Sequence, residues 1–212
     1  MKLLRELNLK LTKEAISKSS TEDIVIIQTV RSIDEISGSI DRLTKNLKER
    51  YGYYSPRASN IDEVDKFLEV VLSKKKGEMG VDFKEDDLVA MVKVVEEIKN
   101  LIKAKQEQLS YLNKKMNTIC PNLLQIAGDY IGARLVELAG SLKHLAELPT
   151  STIQILGSEK ALFRHLKTHA KPPKFGIIYL HKEISIAKEK GKAARKLASK
   201  ISMAVKKDYF IK

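Results

Sequence analysis

Residues 85–119 read EDDLVAMVKVVEEIKNLIKAKQEQLSYLNKKMNTI, and an apolar residue recurs through them at alternating steps of three and four. Positions 88, 91, 95, 98, 102, 105, 109, 112, 116 and 119 are Leu, Met, Val, Ile, Ile, Lys, Leu, Leu, Met and Ile. A period of 3.5 residues is the seam of a coiled coil. A second seam precedes it, with Ile, Thr, Ile, Ile, Ile, Leu and Leu at 26, 29, 33, 36, 40, 43 and 47. Thr21, followed by Glu22 and Asp23, suits the start of that first helix, because acids favour the positive helix N-terminus. Tyr51-Gly52 through Ser55-Pro56 predicts its stop. Arms over about 22–51 and 85–119 are rods on the order of 45–50 Å at about 1.5 Å per residue.

Residues 55–84 lie between the arms. They contain a predicted helix from Ile61 to Leu72, apolar at 61, 64, 67, 68, 71 and 72, and a Lys-Gly-rich loop from Ser73 to Gly80. That connectivity predicts an antiparallel helical hairpin over 22–120, with residues 1–21 as a lead-in. Lys74-Lys75-Lys76 reads as its solvated tip.

Pro121 breaks the second arm or restarts it as a new helix. From Leu123 to Glu147 the pattern is helical, and Gly128 and Gly132 on one face predict close approach of another backbone. Leu148-Pro149 ends that helix. Ser151 with Gln154 fits a capping box, whereas TIQIL (152–156) also suits a short strand that could pair with GIIYL (176–180). Ser158 is placed to cap a helix over 159–169, which Pro172-Pro173 ends. A final helix is predicted over about 186–208, with Ala194, Leu197, Ala198, Ile201 and Val205 inside and Lys192, Lys196, Lys200 and Lys207 on one exposed side. The fold class is mainly α: a long antiparallel coiled-coil hairpin, then a compact α-helical domain over 121–212, with one short β pair as an option.

The 212 residues allow one or two domains with ample core, and 43% apolar with 31% charged residues is a globular composition. No apolar run approaches the ~18 residues of a spanning helix, and the N-terminus lacks the apolar stretch of a secretory signal. A single cysteine, Cys120, excludes an internal disulfide framework and a Cys-rich zinc site. The expectation is an intracellular chain without a membrane partner. Its net charge of +12 is unevenly spread: residues 1–139 carry 23 Lys/Arg and 22 Asp/Glu, residues 140–212 carry 16 and five. One basic end points to a polyanionic partner, and the basic stretches lack the Trp/Phe anchors of an interfacial helix, so nucleic acid fits better than membrane.

The cations concentrate in residues 156–179. Lys160, Arg164, Lys167 and Lys171 would fall within about a 60° stripe of a helix, with Lys174 beyond the prolines. Leu162, Phe163 and Leu166 are expected to face the protein. Cations at this spacing can neutralise several phosphates at once, and the double proline stiffens residues 171–175. Phe175 and Tyr179 either stack on bases or pack in the core.

Signs of catalysis are few. Cys120 precedes Pro121 at a helix junction with no base nearby in sequence, and Glu137 and Glu147 stand ten apart, which defines no carboxylate pair. His165 and His169 have the i,i+4 spacing of a metal pair but lack the acid and third ligand of a zinc motif; His144 and His181 are isolated. No phosphate-cradling glycine loop is present. The expectation is no enzyme, no cofactor and no metal.

LGSEKALFRHLKT (156–168) and KPPKFGIIY (171–179), with GARLVELAGSL (132–142), LPTSTIQ (148–154) and GKAARKLASKI (191–201), resemble the signature of the Nop domain family over about Leu9 to Phe210. The resemblance implies an archaeal box C/D ribonucleoprotein core protein, or a relative of its nucleolar and spliceosomal cousins. It implies a coiled coil that forms a homodimer, and a Nop domain that binds kink-turn RNA jointly with a kink-turn-binding protein of the ribosomal type. Such a protein would be cytoplasmic in an archaeon and nuclear or nucleolar in a eukaryote. RNA contacts then fall on Lys160, Arg164, His165, Lys167, Lys171 and Lys174, with Gly157 making the entry turn. Gly132, Arg134, Thr150, Ser151 and Gln154 are implied at the protein-partner face. Ser158 stands where alanine is common in the family, and His169 where glycine is common. Only about 20 residues precede the coiled coil, so the fibrillarin-binding N-terminal domain is expected to be absent, as is a Lys-rich tail. Fibrillarin is then a partner only if a longer chain supplies that domain. On the residues alone two other readings stay open: a structural coiled-coil protein with a basic solubilising tail, and the RNA-binding arm of a larger enzyme.

Overall fold

The computed structural model of the chain describes residues 2–19 and 22–211, so Thr21 lies outside the described residues. The order is α1 (Lys2–Ser19), α2 (Glu22–Tyr54), α3 (Pro56–Ser59), α4 (Val64–Leu72), α5 (Glu85–Ile119), α6 (Pro121–Ala127), α7 (Asp129–Ala139), α8 (Leu142–Glu147), α9 (Thr150–Ile155), α10 (Glu159–Thr168), a 3-10 turn (Ile177–Leu180), α11 (Lys182–Ile186) and α12 (Lys190–Phe210). The fold is mainly α, and no strand occurs among the described residues. Two compact units divide it, Ser32–Gln108 and Met1–Arg31 with Leu109–Lys212.

In the first of these units the two arms pack through Ile40, Leu47 and Tyr51 of α2 against Leu88, Met91, Val95 and Ile98 of α5. Helix α2 ends at Tyr54, inside the expected stop between Tyr51-Gly52 and Ser55-Pro56, and α4 starts at Val64 rather than Ile61. The tip is firmly built. Tyr51, fully buried, donates its hydroxyl to Lys75 O at 3.1 Å, and Tyr54 donates to Lys74 O at 3.1 Å. Phe67 meets Tyr51 edge-on, and Phe83 stacks on Tyr54. A Cβ at Gly80 would stand 1.7 Å from Tyr54 O, so only glycine lets the loop return against α2. The basic triplet sits in this frame: Lys74 pairs with Glu85 and Lys76 with Asp82, while Lys75 is exposed.

The other unit is centred on α12, which packs against α6, α8, α9 and α11. Ala194, Leu197, Ala198, Ile201 and Val205 of α12 are fully buried. Two buried carboxylates fix distant helices to each other. Asp208 accepts from the backbone N–H of Asn122 at 3.0 Å and of Leu123 at 2.8 Å, capping the start of α6 after Pro121. Asp23, near the start of α2, accepts from Leu142 N at 2.8 Å at the start of α8. Residues 123–147 are not one helix. Gly128 at φ 78 and Gly140 at φ 84 break it into α6, α7 and α8, because positive φ is available to glycine without steric penalty. Gly132 admits side chains rather than a backbone: a Cβ there would stand 2.8 Å from Met116 Cε and 3.3 Å from Leu123 Cγ.

Neither β-prone pentad forms a strand. Pro149 precedes α9, and its carbonyl accepts from Thr152 N and Ile153 N, so 150–155 coils instead of extending. Ser151 lies inside that helix and forms no capping box. The final helix starts at Lys190, four residues later than expected.

Burial pushes the Tyr51 hydroxyl up to about 12, with the neighbouring Tyr54 adding to the shift. A raised value in the fold means its contribution is intact below pH 10, the ordinary tyrosine range, and is lost as pH climbs toward 12. Thermal melts across that window should show this alkaline fall, and Tyr51→Phe should reduce it at a cost of about 1 kcal/mol at neutral pH. Asp208→Ala leaves two helix N–H groups buried and unmet, so denaturant unfolding should show a loss of about 2–3 kcal/mol.

Candidate nucleic-acid interface

Helix α10 carries most of the predicted site, and its sequence explains its placement. Ser158 occupies its N-cap, but the side chain donates to Ile155 O instead of capping α10. Glu159 turns back to accept from Gly157 N at 2.7 Å, and Gly157 makes the entry turn at φ 89. The helix ends one residue before the expected 169, because His169 adopts a left-handed conformation, φ 53 and ψ 22. Its N–H still closes on His165 O at 2.8 Å. Helices commonly end with glycine in this conformation, and a non-glycine residue there costs about 1–2 kcal/mol.

No side chain of α10 is buried. Leu162 is half-buried, but Phe163 is 62% exposed and Leu166 63% exposed, so the expected inward apolar sector is not formed. Only the strip made by Ala161, Leu162 and His165 is even partly covered, and His165 Nδ1 contacts Ala170 O. On the other side, Lys160, Arg164 and Lys167 stand exposed with Phe163 and Leu166. Lys171 and Lys174 are exposed on the returning loop. None of these five cations makes an ion pair among the described residues. Charge held out of reach of any carboxylate, on a helix without a core function, suits a polyanion.

Aromatic rings stand at the end of the arm. Phe175 and Tyr179 stack on each other, ring centres 4.8 Å apart, and the Lys190 ammonium lies 5.1 Å from the Tyr179 ring centre. Lys190 also donates to the Tyr179 hydroxyl at 3.1 Å. The two rings are therefore first partners of one another.

Helix α12 adds a second cationic face. Lys192, Arg195, Lys196, Lys206 and Lys207 are exposed, with Met203 and Phe210 among them. Lys192 pairs with Glu189 and Lys200 with Glu183, each at 3.3 Å. Arg195 and Lys206 were not among the predicted contacts, although the spacing 192, 195, 196, 203, 206, 207 places them on one helical face with those that were noted. The residues of the implied protein-partner face are scattered. Gly132 is buried beneath Met116 and Leu123. Arg134 pairs with Glu137, which also holds Arg31. Ser151 is exposed and Thr150 half-buried on α9. Gln154 reaches across to Lys174 O at 2.7 Å.

An all-helical domain with unpaired cations on an exposed helix has the charge pattern that suits a polyanion. The comparison with known proteins narrows this. Residues 26–212 match the sequence profile of the Nop family, described as snoRNA binding domain, fibrillarin. The chain belongs to the Nop family. It is 36% identical to a NOP5 family protein of Methanocaldococcus jannaschii over 94% of this chain and 56% of that one. It is also 34% identical to nucleolar protein 58 of Aspergillus clavatus and 35% identical to nucleolar protein 56 of Dictyostelium discoideum, over 88% and 89% of this chain but 36% and 41% of theirs. The chain thus spans between about a third and a little over half of these relatives. A crystal structure of a fibrillarin/NOP5P complex matches with a TM-score of 0.58 at 27% identity, over 99% of this chain and 70% of that one.

His169→Gly removes the cost of the left-handed histidine. Amide exchange in the last turn of α10 should slow about fivefold, the equivalent of about 1 kcal/mol.

Proposed function

We propose that this chain is a non-catalytic RNA-binding scaffold of a box C/D small ribonucleoprotein. It docks on kink-turn RNA jointly with a kink-turn-binding protein of the ribosomal type and dimerises through its coiled coil. In that particle it supports guide-directed RNA 2′-O-methylation carried out by a bound methyltransferase. The observation that carries the reading is the set of five unpaired cations on and beside α10, a helix that buries nothing of its own. Membership of the Nop family directs that generic phosphate affinity to a small ribonucleoprotein. The exposed Phe163 and Leu166 between the cations favour a composite target, since phosphate alone gives apolar side chains nothing to bury. Half-buried residues of the first unit, Ile36, Leu43 and Ile102 on the seams and Leu101 beside them, leave apolar surface for a second copy. In the matching crystal structure NOP5P is complexed with fibrillarin. On that likeness fibrillarin is the methyltransferase proposed as a partner of this scaffold. No helix among the described residues is long and apolar enough to cross a membrane. An archaeal chain of this kind works in the cytoplasm, a eukaryotic one in the nucleus or nucleolus.

The test is a titration of kink-turn RNA, with and without its primary binding protein, at two salt concentrations. Binding should require the protein-loaded RNA, and it should weaken with salt at a log–log slope of about −3 to −4 if four or five phosphates are neutralised. Equal binding to bare RNA would sink composite recognition; no binding at either salt would sink the RNA role. Arg164→Glu with Lys167→Glu should abolish docking while circular dichroism stays unchanged. A loss of helicity in that variant would mean the two side chains are structural.

A further inference from the structure

The basic arm, residues 157–175, closes on its unit at a backbone crossing beside the Phe175–Tyr179 stack. There Gly176 N donates to Gln154 O and Ile177 N to Leu156 O, each at 2.8 Å. Gln154 Nε2 donates to Lys174 O at 2.7 Å. A Cβ at Gly176 would stand 1.9 Å from Leu156 O, so the two backbones touch. Beyond this crossing α10 has no buried side chain to orient it. Two of the three bonds are backbone to backbone and close the base of the arm. The third is made by a side chain, and it reaches the residue immediately after Pro172-Pro173.

We propose that Gln154 is a positioning residue: its side-chain amide clamps the exit of the double proline and so fixes the direction in which the arm presents its cations. The proposal rests on the reading that this arm docks on a ribonucleoprotein. The proline pair is stiff, so restraining the carbonyl at its exit restrains Lys171 and Lys174 on either side of it. Without the clamp the backbone bonds still close the loop, but residues 171–175 must be ordered at the moment of binding, which weakens affinity. The number of cations is unchanged, so the salt slope is unchanged too. Loss of a phosphate-contacting lysine does the opposite, lowering the slope by about one. Gln154 therefore acts through Lys171 and Lys174, not by its own contact with the target.

Gln154→Met keeps the length and removes the N–H; Gln154→Glu removes it and sets a carboxylate against Lys174 O. Each is titrated with the protein-loaded kink-turn RNA over a salt series, and each free protein is followed by amide hydrogen exchange. The expected result is about fivefold to tenfold weaker binding at every salt, an unchanged slope, faster exchange across 159–176 and unchanged exchange in α12. Wild-type affinity in both variants overturns the proposal. So does a loss of affinity accompanied by faster exchange in α12, which marks general destabilisation. A wild-type chain that fails to bind overturns the ribonucleoprotein reading instead, and the exchange contrast between wild type and variants still decides whether Gln154 holds the arm.

Discussion

The domain around α12 depends on one carboxylate. Asp208 sits 4% exposed near the end of that helix and accepts from two N–H groups at the start of α6, 85 and 86 residues away in sequence. A negative charge at the positive end of a helix is favourable, and the backbone donors it meets have no partner inside their own helix. The bond fixes where the chain goes after Pro121 ends α5, and it does so from the helix against which α6, α8 and α9 all pack. Asp23 repeats the device at α8 from a helix 119 residues upstream. These two caps are non-local, polar and directional, and they specify an arrangement that apolar packing alone leaves degenerate.

Charge serves two different purposes in the chain. At the tip of the hairpin Lys74, Lys76 and Arg57 are each matched by an acid, Glu85, Asp82 and Glu78. Exposed pairs of this kind contribute little stability, but they leave a surface close to neutral. Along α10 no acid answers the cations, and the last third of the chain holds nearly all the excess positive charge. Net charge and pairing agree in distinguishing the two regions. The tip is charge-matched and α10 is not.

Much of the fold was legible because helical periodicity records burial directly. Ile26, Ile33, Met91, Val95, Ile98, Leu112 and Met116 lie on the two seams and are buried, and the core positions of α12 were read one by one. Breaks were less legible. Gly128 and Gly140 interrupt an apolar pattern that continues through them, and the sign of φ leaves no trace in hydrophobicity. Residues 152–156 and 176–180 have β-prone composition, but they meet through two backbone bonds at a crossing rather than as a ladder, a choice made by Pro149 and by the tight Gly176. At the site, the cations were found by charge and spacing. The exposure of Phe163 and Leu166 was not, because an amphipathic pattern says that a helix could be covered on one side and not whether anything covers it. Residues 2–19 form a helix whose Leu4, Leu7 and Leu11 are exposed, which the sequence showed only as a lead-in.

That α10 buries no side chain has a consequence for how this protein can change over time. In most helices a substitution is screened first by folding, and only survivors are screened by function. Residues 159–168 largely escape the first screen, since none of them is buried in the core. Their drift is limited chiefly by what their exposed surface does. This decapeptide could be retuned with little compensating change elsewhere, while the inner face of α12, packed against four other helices, would hold still.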